Sequence, residues 1–129
     1  MTTAGVNFLV QGLISTGTNV ALFKFHGLGL GTVAEAIGDT ALGTELTTQL
    51  NPDSTRATGT QVVGGSNWIY VTVATNTVDA SAAVTEHGIL TQAATGGGTL
   101  LDRSVFTVVN LASGDSLQST YSLTLTAGG

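Results

Sequence analysis

The sequence predicts a mainly β protein, an antiparallel β-sandwich or small barrel with a short N-terminal helix, and three observations carry that expectation. Short runs rich in β-branched and aromatic residues recur between clusters of Gly, Asn, Asp and Ser, the pattern of many short strands joined by turns. The final segment alternates strictly. Leu117, Ser119, Tyr121, Leu123 and Leu125 interleave with Gln118, Thr120, Ser122, Thr124 and Thr126, which gives a strand one buried and one polar face. The first segment has a different period: Val6, Leu9, Val10, Leu13 and Ile14 recur at the spacing that lines one face of a helix.

Taken in order, that N-terminal helix stops before Gly17, a C-terminal cap residue. Its apolar stripe needs a cover, either the chain's own sheet or a neighbouring subunit. From Val20 the run Val-Ala-Leu-Phe-Lys-Phe-His reads as a strand that ends in a glycine turn, Gly27-Leu28-Gly29-Leu30-Gly31. Thr32-Val33-Ala34-Glu35 has the form of a capping box, and a helix starting there ends by Gly38. The stretch from Gly43 to Gly65 is polar. Asn51-Pro52-Asp53-Ser54 marks a turn within it, and Arg56 to Val63 reads as a strand.

Trp68 to Val73 is the densest β-forming run in the first half, and Ala83 to Leu90 is a further strand in which Gly88 marks a bulge or a close backbone contact. Gly96-Gly97-Gly98 is a tight connection, Ser104 to Val109 another strand, and Ser113-Gly114-Asp115 the last turn. The expected division is an N-terminal helix or arm over residues 1–18 and a single β-domain over residues 19–129, with no internal repeat.

Composition narrows the function. Charged residues make up 9% of the chain against about 25% in an ordinary soluble domain. Thr and Gly are over-used, and aromatics are only 5%, so the core is expected to be aliphatic. A charge-poor, Thr-rich surface suits a face that packs on another subunit, because charges are depleted at interface cores. The alternative is a monomer with a neutral polar coat. Net charge is −5 with only Lys24, Arg56 and Arg103 as fixed cations, so no basic stripe serves nucleic acid. Without cysteine there is neither a disulfide framework nor a thiolate metal site. The block Val6 to Ile14 lacks a basic flank and is interrupted by Asn7, Gln11 and Gly12, unlike a secretory signal, and nothing reaches the length of a membrane span. The expectation is a soluble chain without a membrane partner.

Candidate chemistry is sparse. His26 and His87 are the only imidazoles. With a carboxylate from Glu35, Asp39, Glu86 or Asp102 they would form a two-histidine metal site if the strands converge, although no ligand-spacing motif is present and a strand histidine with satisfied bonds is the plainer reading. No Gly-x-Ser-x-Gly block, phosphate-loop lysine or calcium-loop run occurs. The expected count of catalytic, cofactor and metal residues is therefore none. Trp68 and Tyr70, one residue apart, share a strand face, where they would serve as a sugar-stacking platform or as a core or subunit contact.

Four blocks, in order, carry a family resemblance: Gly29-Leu30-Gly31-Thr32 running on to Asp39-Thr40-Ala41-Leu42; Thr85-Glu86-His87-Gly88-Ile89; Gly98-Thr99-Leu100-Leu101-Asp102-Arg103-Ser104-Val105-Phe106; and Gly114-Asp115-Ser116-Leu117 with Tyr121 to Leu125. Together they span about Gly27 to Leu125 and resemble small β-rich virion proteins of tailed bacteriophages. Leu30 and His87 depart from that pattern. The resemblance implies a non-enzymatic particle component located in the virion and made in the host cytoplasm. Within that class the expected role is a capsid decoration or cement protein, a homo-oligomer whose partner is the major capsid protein or another virion subunit. The alternatives are a tail or fibre adaptor facing a receptor and a carbohydrate-binding β-domain. Val6, Leu9, Val10, Leu13, Ile14, Trp68 and Tyr70 are the expected contact residues.

Overall fold

The computed structural model describes residues 1–66 and 68–128. A helix, α1 (Thr3–Ile14), and a single 3-10 turn (Val20–Leu22) precede seven strands: β1 (Phe25–Gly29), β2 (Ala57–Thr58), β3 (Thr60–Val63), β4 (Ile69–Thr77), β5 (Ala82–Leu90), β6 (Leu100–Leu111) and β7 (Ser116–Thr124). They form two antiparallel sheets, ordered β2-β1-β5-β6 and β3-β4-β7. The expected mainly β fold is present, as an open two-sheet sandwich and not as a closed barrel.

Several sequence expectations change for identifiable reasons. The glycine run is not a turn, since Gly27, Leu28 and Gly29 lie inside β1 and pair with Gly88, His87 and Glu86 of β5. A Cβ at Gly29 would stand 2.3 Å from a Glu86 carboxylate oxygen and 2.7 Å from the Thr44 carbonyl, and one at Gly88 would stand 2.8 Å from Leu42. The glycines keep this face of the sheet flat so that the segment after β1 can lie directly on it. Gly88 is thus a close contact, and the register shifts of β5 fall on either side of it. The covering segment holds its place by sheet-like bonds, Leu46 N to Leu28 O (2.9 Å) and Leu30 N to Thr44 O (2.8 Å). It also drives Leu42, Leu46 and Leu50 into the interior, so the stretch read as polar supplies core side chains.

No helix forms at Thr32. Glu35 stays exposed, and Ala36 N bonds instead to the Asp39 carboxylate at 2.9 Å. The strand from Val20 is delayed to Phe25 by the 3-10 turn, which Asn19 caps through its side-chain oxygen. The run Arg56 to Val63 is split at Gly59, where the chain steps from one sheet to the other. A Cβ there would meet the Thr72 hydroxyl at 2.0 Å and the His26 ring at 2.8 Å, so only glycine lets the backbone pass between the layers. β7 keeps its expected alternation of half-buried odd and exposed even positions.

As composition demanded, the core is aliphatic. Leu28, Leu46, Leu50, Val78, Ala82, Val84 and Leu111 form one cluster, and Phe23, Ile89 and Leu101 a second that Phe8, Leu9 and Tyr121 close. Full burial of each such large side chain stabilises by about 1.5–3 kcal/mol. β6 contributes to both clusters, and its partner β5 runs between them.

α1 is built into this domain. Thr2 is its N-cap, accepting from Gly5 N at 3.0 Å. The Thr2 hydroxyl also donates to Leu100 O, and Thr2 N donates to Leu101 O at 2.8 Å. Residues 1–14 therefore do not form a free arm. The buried face is Gly5, Phe8 and Leu9, with Phe8 edge-on to Phe23, so of the expected stripe only Leu9 packs inward. Val6 and Val10 are half exposed, Leu13 is 86% exposed and Ile14 73%. The reason is Gly5: having no side chain, it brings the helix backbone against β6, and a residue without hydropathy fixes the orientation that the hydrophobic spacing misjudged. Gly5→Ala would ordinarily stabilise an exposed helix interior by about 1 kcal/mol. Here the new Cβ would stand 2.7 Å from Leu101 Cα, so the substitution is expected to lower stability by about 1–3 kcal/mol in urea denaturation.

Candidate functional site

The side chains with chemical capacity gather in three interior networks, and two adjoining apolar grooves lie on the surface. The first network centres on Glu86, fully buried on the glycine face of β5. One carboxylate oxygen accepts from Gly31 N (2.9 Å) and Thr44 N (2.8 Å), the other from Gly43 N (2.9 Å) and Arg103 Nε (2.7 Å). Arg103 reaches on to Asp39 (3.0 Å) and to Val33 O (2.8 Å). Burial works to raise the Glu86 pKa, but the bonds from Thr44, Gly43, Arg103 and Gly31 outweigh it and hold the carboxyl below its ordinary value. The group is an ionised tie that fastens the covering segment to the sheet.

The second network does the same at the segment's far end. Arg56, 2% exposed, forms a forked ion pair with Glu45 (2.5 and 3.0 Å) and donates to the carbonyls of Gln92 (2.7 Å) and Gly97 (2.9 Å). Glu45 also accepts from Gly96 N at 3.1 Å, which fixes the glycine connection before β6.

The third network lies between the sheets. His26 Nδ1 and His87 Nε2 are 2.9 Å apart, so the rings share one proton in a hydrogen bond. His26 Nε2 is 3.1 Å from Thr72 Oγ1 of the opposite sheet. Asn76 donates to His26 O (3.2 Å) and accepts from Ala57 N (3.1 Å), and Tyr121 donates to Asp102 (3.1 Å). Burial lowers the pKa of His26 to about 4 and that of His87 to about 4. The neighbouring His26 adds to the lowering at His87, and Asp102 opposes it. Both imidazoles are neutral at pH 7.

The sequence allows a metal pair with a carboxylate only if the strands bring the histidines together, and they do converge, but on each other. Glu86 points to the opposite face of the sheet and Asp39 is taken by Arg103. Glu35 lies in an exposed loop, and Asp102 pairs with Tyr121. Among the described residues no group of three metal-ligating side chains converges. The pairings Glu86 with Arg103 and Glu45 with Arg56 escaped sequence reasoning, which treated the arginines only as charge. The available signal was Glu86 standing in a strand between Val84 and Gly88-Ile89-Leu90, where a buried charge is tolerated only when it is paired.

On the surface, Trp68 precedes β4 in a turn and is 59% exposed, whereas Tyr70 is half-buried. The Tyr70 hydroxyl donates to Phe23 O and accepts from Gln61 at 2.8 Å. Both aromatics line one apolar groove of about 320 Å³ with Val63 and Leu125. Tyr70 and Leu125 also border an adjoining groove of about 400 Å³ that reaches Leu9 of α1 and Val20. Of the expected contact residues, Leu9, Trp68 and Tyr70 thus line these two grooves, and Val6, Val10, Leu13 and Ile14 do not. Comparison with known protein families, curated proteins and solved structures gives no match to this chain.

Proposed function

We propose that the chain is a non-enzymatic structural subunit of a bacteriophage virion, a capsid decoration protein that stabilises the head by binding across capsid subunits. One observation carries the reading: a helix anchored at its N-terminal end holds Leu13 and Ile14 86% and 73% exposed, and its Leu9 borders an apolar groove with Val20 and Leu125. Covering one such side chain in an assembly contributes about 1.5–3 kcal/mol, and the shortage of charge on the chain removes the desolvation cost that ordinarily opposes it. The interior chemistry supports the same reading, since the histidines, arginines and buried carboxylates direct their polar atoms at one another and at the backbone. The sequence resemblance to small virion proteins points the same way.

Cosedimentation with emptied heads and, separately, with tails of the phage that encodes the chain tests the proposal. Saturable binding to heads at a fixed copy ratio supports it. Binding to tails alone would replace it with a tail or fibre adaptor, and binding to neither would return attention to the Trp68 and Tyr70 groove as a sugar site. The double substitution Leu13→Ser and Ile14→Ser, at solvent-exposed positions, is expected to leave stability within about 0.5 kcal/mol while weakening head attachment at least tenfold.

A further inference from the structure

We infer that β7 is a homodimerisation edge, pairing antiparallel with β7 of a second copy about a two-fold axis at Thr120 to make one continuous six-stranded sheet. This deepens the assembly reading by naming where two copies meet, but the argument rests on β7 alone. β7 borders its sheet, with β4 on one side and, among the described residues, no strand on the other. Natural sheets blunt such edges with charges, proline, bulges or brevity. β7 has nine residues, no charge, no proline and an unbroken register with β4 from Ile69↔Thr124 to Thr77↔Ser116. The other edges are blunted: β2 and β3 are short, and β6 carries Asp102 and Arg103 and gives its Leu101 carbonyl to Thr2 N.

The backbone polarity of that edge is defined. Leu125 N bonds to Trp68 O and Val78 N to Asp115 O, both at 2.9 Å, so the odd-numbered residues on this side of the ladder turn their peptide groups toward β4. The even-numbered residues Ser116, Gln118, Thr120, Ser122 and Thr124 therefore aim N–H and C=O at the open side, and all five are exposed.

The sequence is self-complementary about its centre. Antiparallel pairing on Thr120 sets Ser116 against Thr124, Gln118 against Ser122 and Thr120 against itself. These are the residues whose peptide groups face outward, giving on the order of ten new hydrogen bonds. The same register sets Leu117 against Leu123 and Ser119 against Tyr121 on the inward face, so side-chain parity and hydrogen-bond parity agree. On the outer face hydroxyl meets hydroxyl or amide, pairs that favour cross-strand association, and no like charges oppose. A two-fold interface requires a patch that matches itself, and this strand does.

Light scattering of the purified full chain over a concentration series is expected to show a dimer of twice 12.9 kDa. Thr120→Pro removes only an outward N–H and so spares the ladder to β4, while Thr120→Lys brings two like charges together at the axis. Both variants are expected to lose the dimer and keep the β-type circular dichroism of the parent. Should the proline variant misfold, the lysine variant, altered on the exposed polar face, decides alone. A parent that stays monomeric, or a folded lysine variant that still dimerises as the parent does, overturns the inference. Because no phage head enters this measurement, its failure is separable from failure of the decoration proposal, which head binding reads independently.

Discussion

Glu86→Ala is expected to destabilise the domain by about 3–5 kcal/mol, the cost of leaving a buried charge without its partner. A domain of this kind has a total stability of about 5–15 kcal/mol, so the variant is expected to be largely unfolded in mild urea. The physical cause is compound. Arg103, 5% exposed, would keep Asp39 and the Val33 carbonyl but lose the carboxylate on its Nε. The amides of Gly31, Gly43 and Thr44, which donate to the fully buried carboxylate, would lose their acceptor. The Cβ of alanine cannot fill the space, and Gly29 and Gly31, which exist to make room for the carboxylate, would border a void. Glu86→Gln preserves the shape and one acceptor oxygen, so it is expected to lose less than the alanine variant. Urea denaturation at pH 7 measures both, and amide exchange at Gly31, Gly43 and Thr44 should accelerate before global unfolding. An alanine variant within about 1 kcal/mol of the parent would mean that the tie is ornamental and that the apolar cover of Leu42 and Leu46 suffices.

The history of that segment shows which parts of the fold were legible in the sequence. Strands with a one-sided pattern were readable, β7 above all, because period-two alternation is a local property of the chain. The glycine run was misread because Gly27, Gly29 and Gly31 were judged by the turn conformations that glycine permits, whereas here they serve by lacking a Cβ beneath a segment packed on them. That requirement comes from Leu42, Thr44 and Glu86, which are distant in sequence. The same holds for Gly59, which splits one expected strand between two sheets, and for Gly5, which rotates α1 away from its hydrophobic stripe. At each of these positions an absent side chain carries the structural information, and hydropathy has no way to register it. Of the candidate site, sequence favours hydrogen-bonded strand histidines over a metal pair, but it does not show that His26 and His87 bond to each other, because that depends on the register of β1 against β5. The ion pairs Glu86 with Arg103 and Arg56 with Glu45 depend on register between strands and loops, which no local pattern encodes.

The histidine pair gives the second large expectation, a loss of stability on mild acidification. Each imidazole has a folded-state pKa of about 4 against an ordinary value of 6.5, so the folded state binds fewer protons than the unfolded chain below neutrality. The sign follows: stability is full above pH 6.5 and falls as the pH drops toward 4, by about 3 kcal/mol for one such imidazole at pH 4. The geometry explains why the loss cannot be relieved in place. His26 Nδ1 and His87 Nε2 share one proton across 2.9 Å, so charging both rings sets N–H against N–H between two positive charges, with Thr72 bonded to the outer nitrogen of His26. Asp102, beside His87, offers compensating charge, but it is already bonded to Tyr121 and paired with the Met1 ammonium at 3.1 Å. Glu86 and Asp39 act in a lower window, because hydrogen bonding holds both below their ordinary values and their contributions are lost only as the pH falls beneath those of free carboxyls. Urea denaturation from pH 8 to pH 3 should therefore show a decline that begins near 6.5 and continues as the pH falls through 4.5 and 3.8, the ordinary values of the two carboxyls. His87→Gln, which keeps a nitrogen or oxygen opposite His26 but cannot take up a proton, should reduce the upper limb by about half, since buried His26 remains, and leave the lower one in place. A parent whose stability is level from pH 8 to pH 5 would show instead that the sheets separate enough at His26 to solvate a charged ring, and the interior polar belt would then be a flexible joint between the two layers.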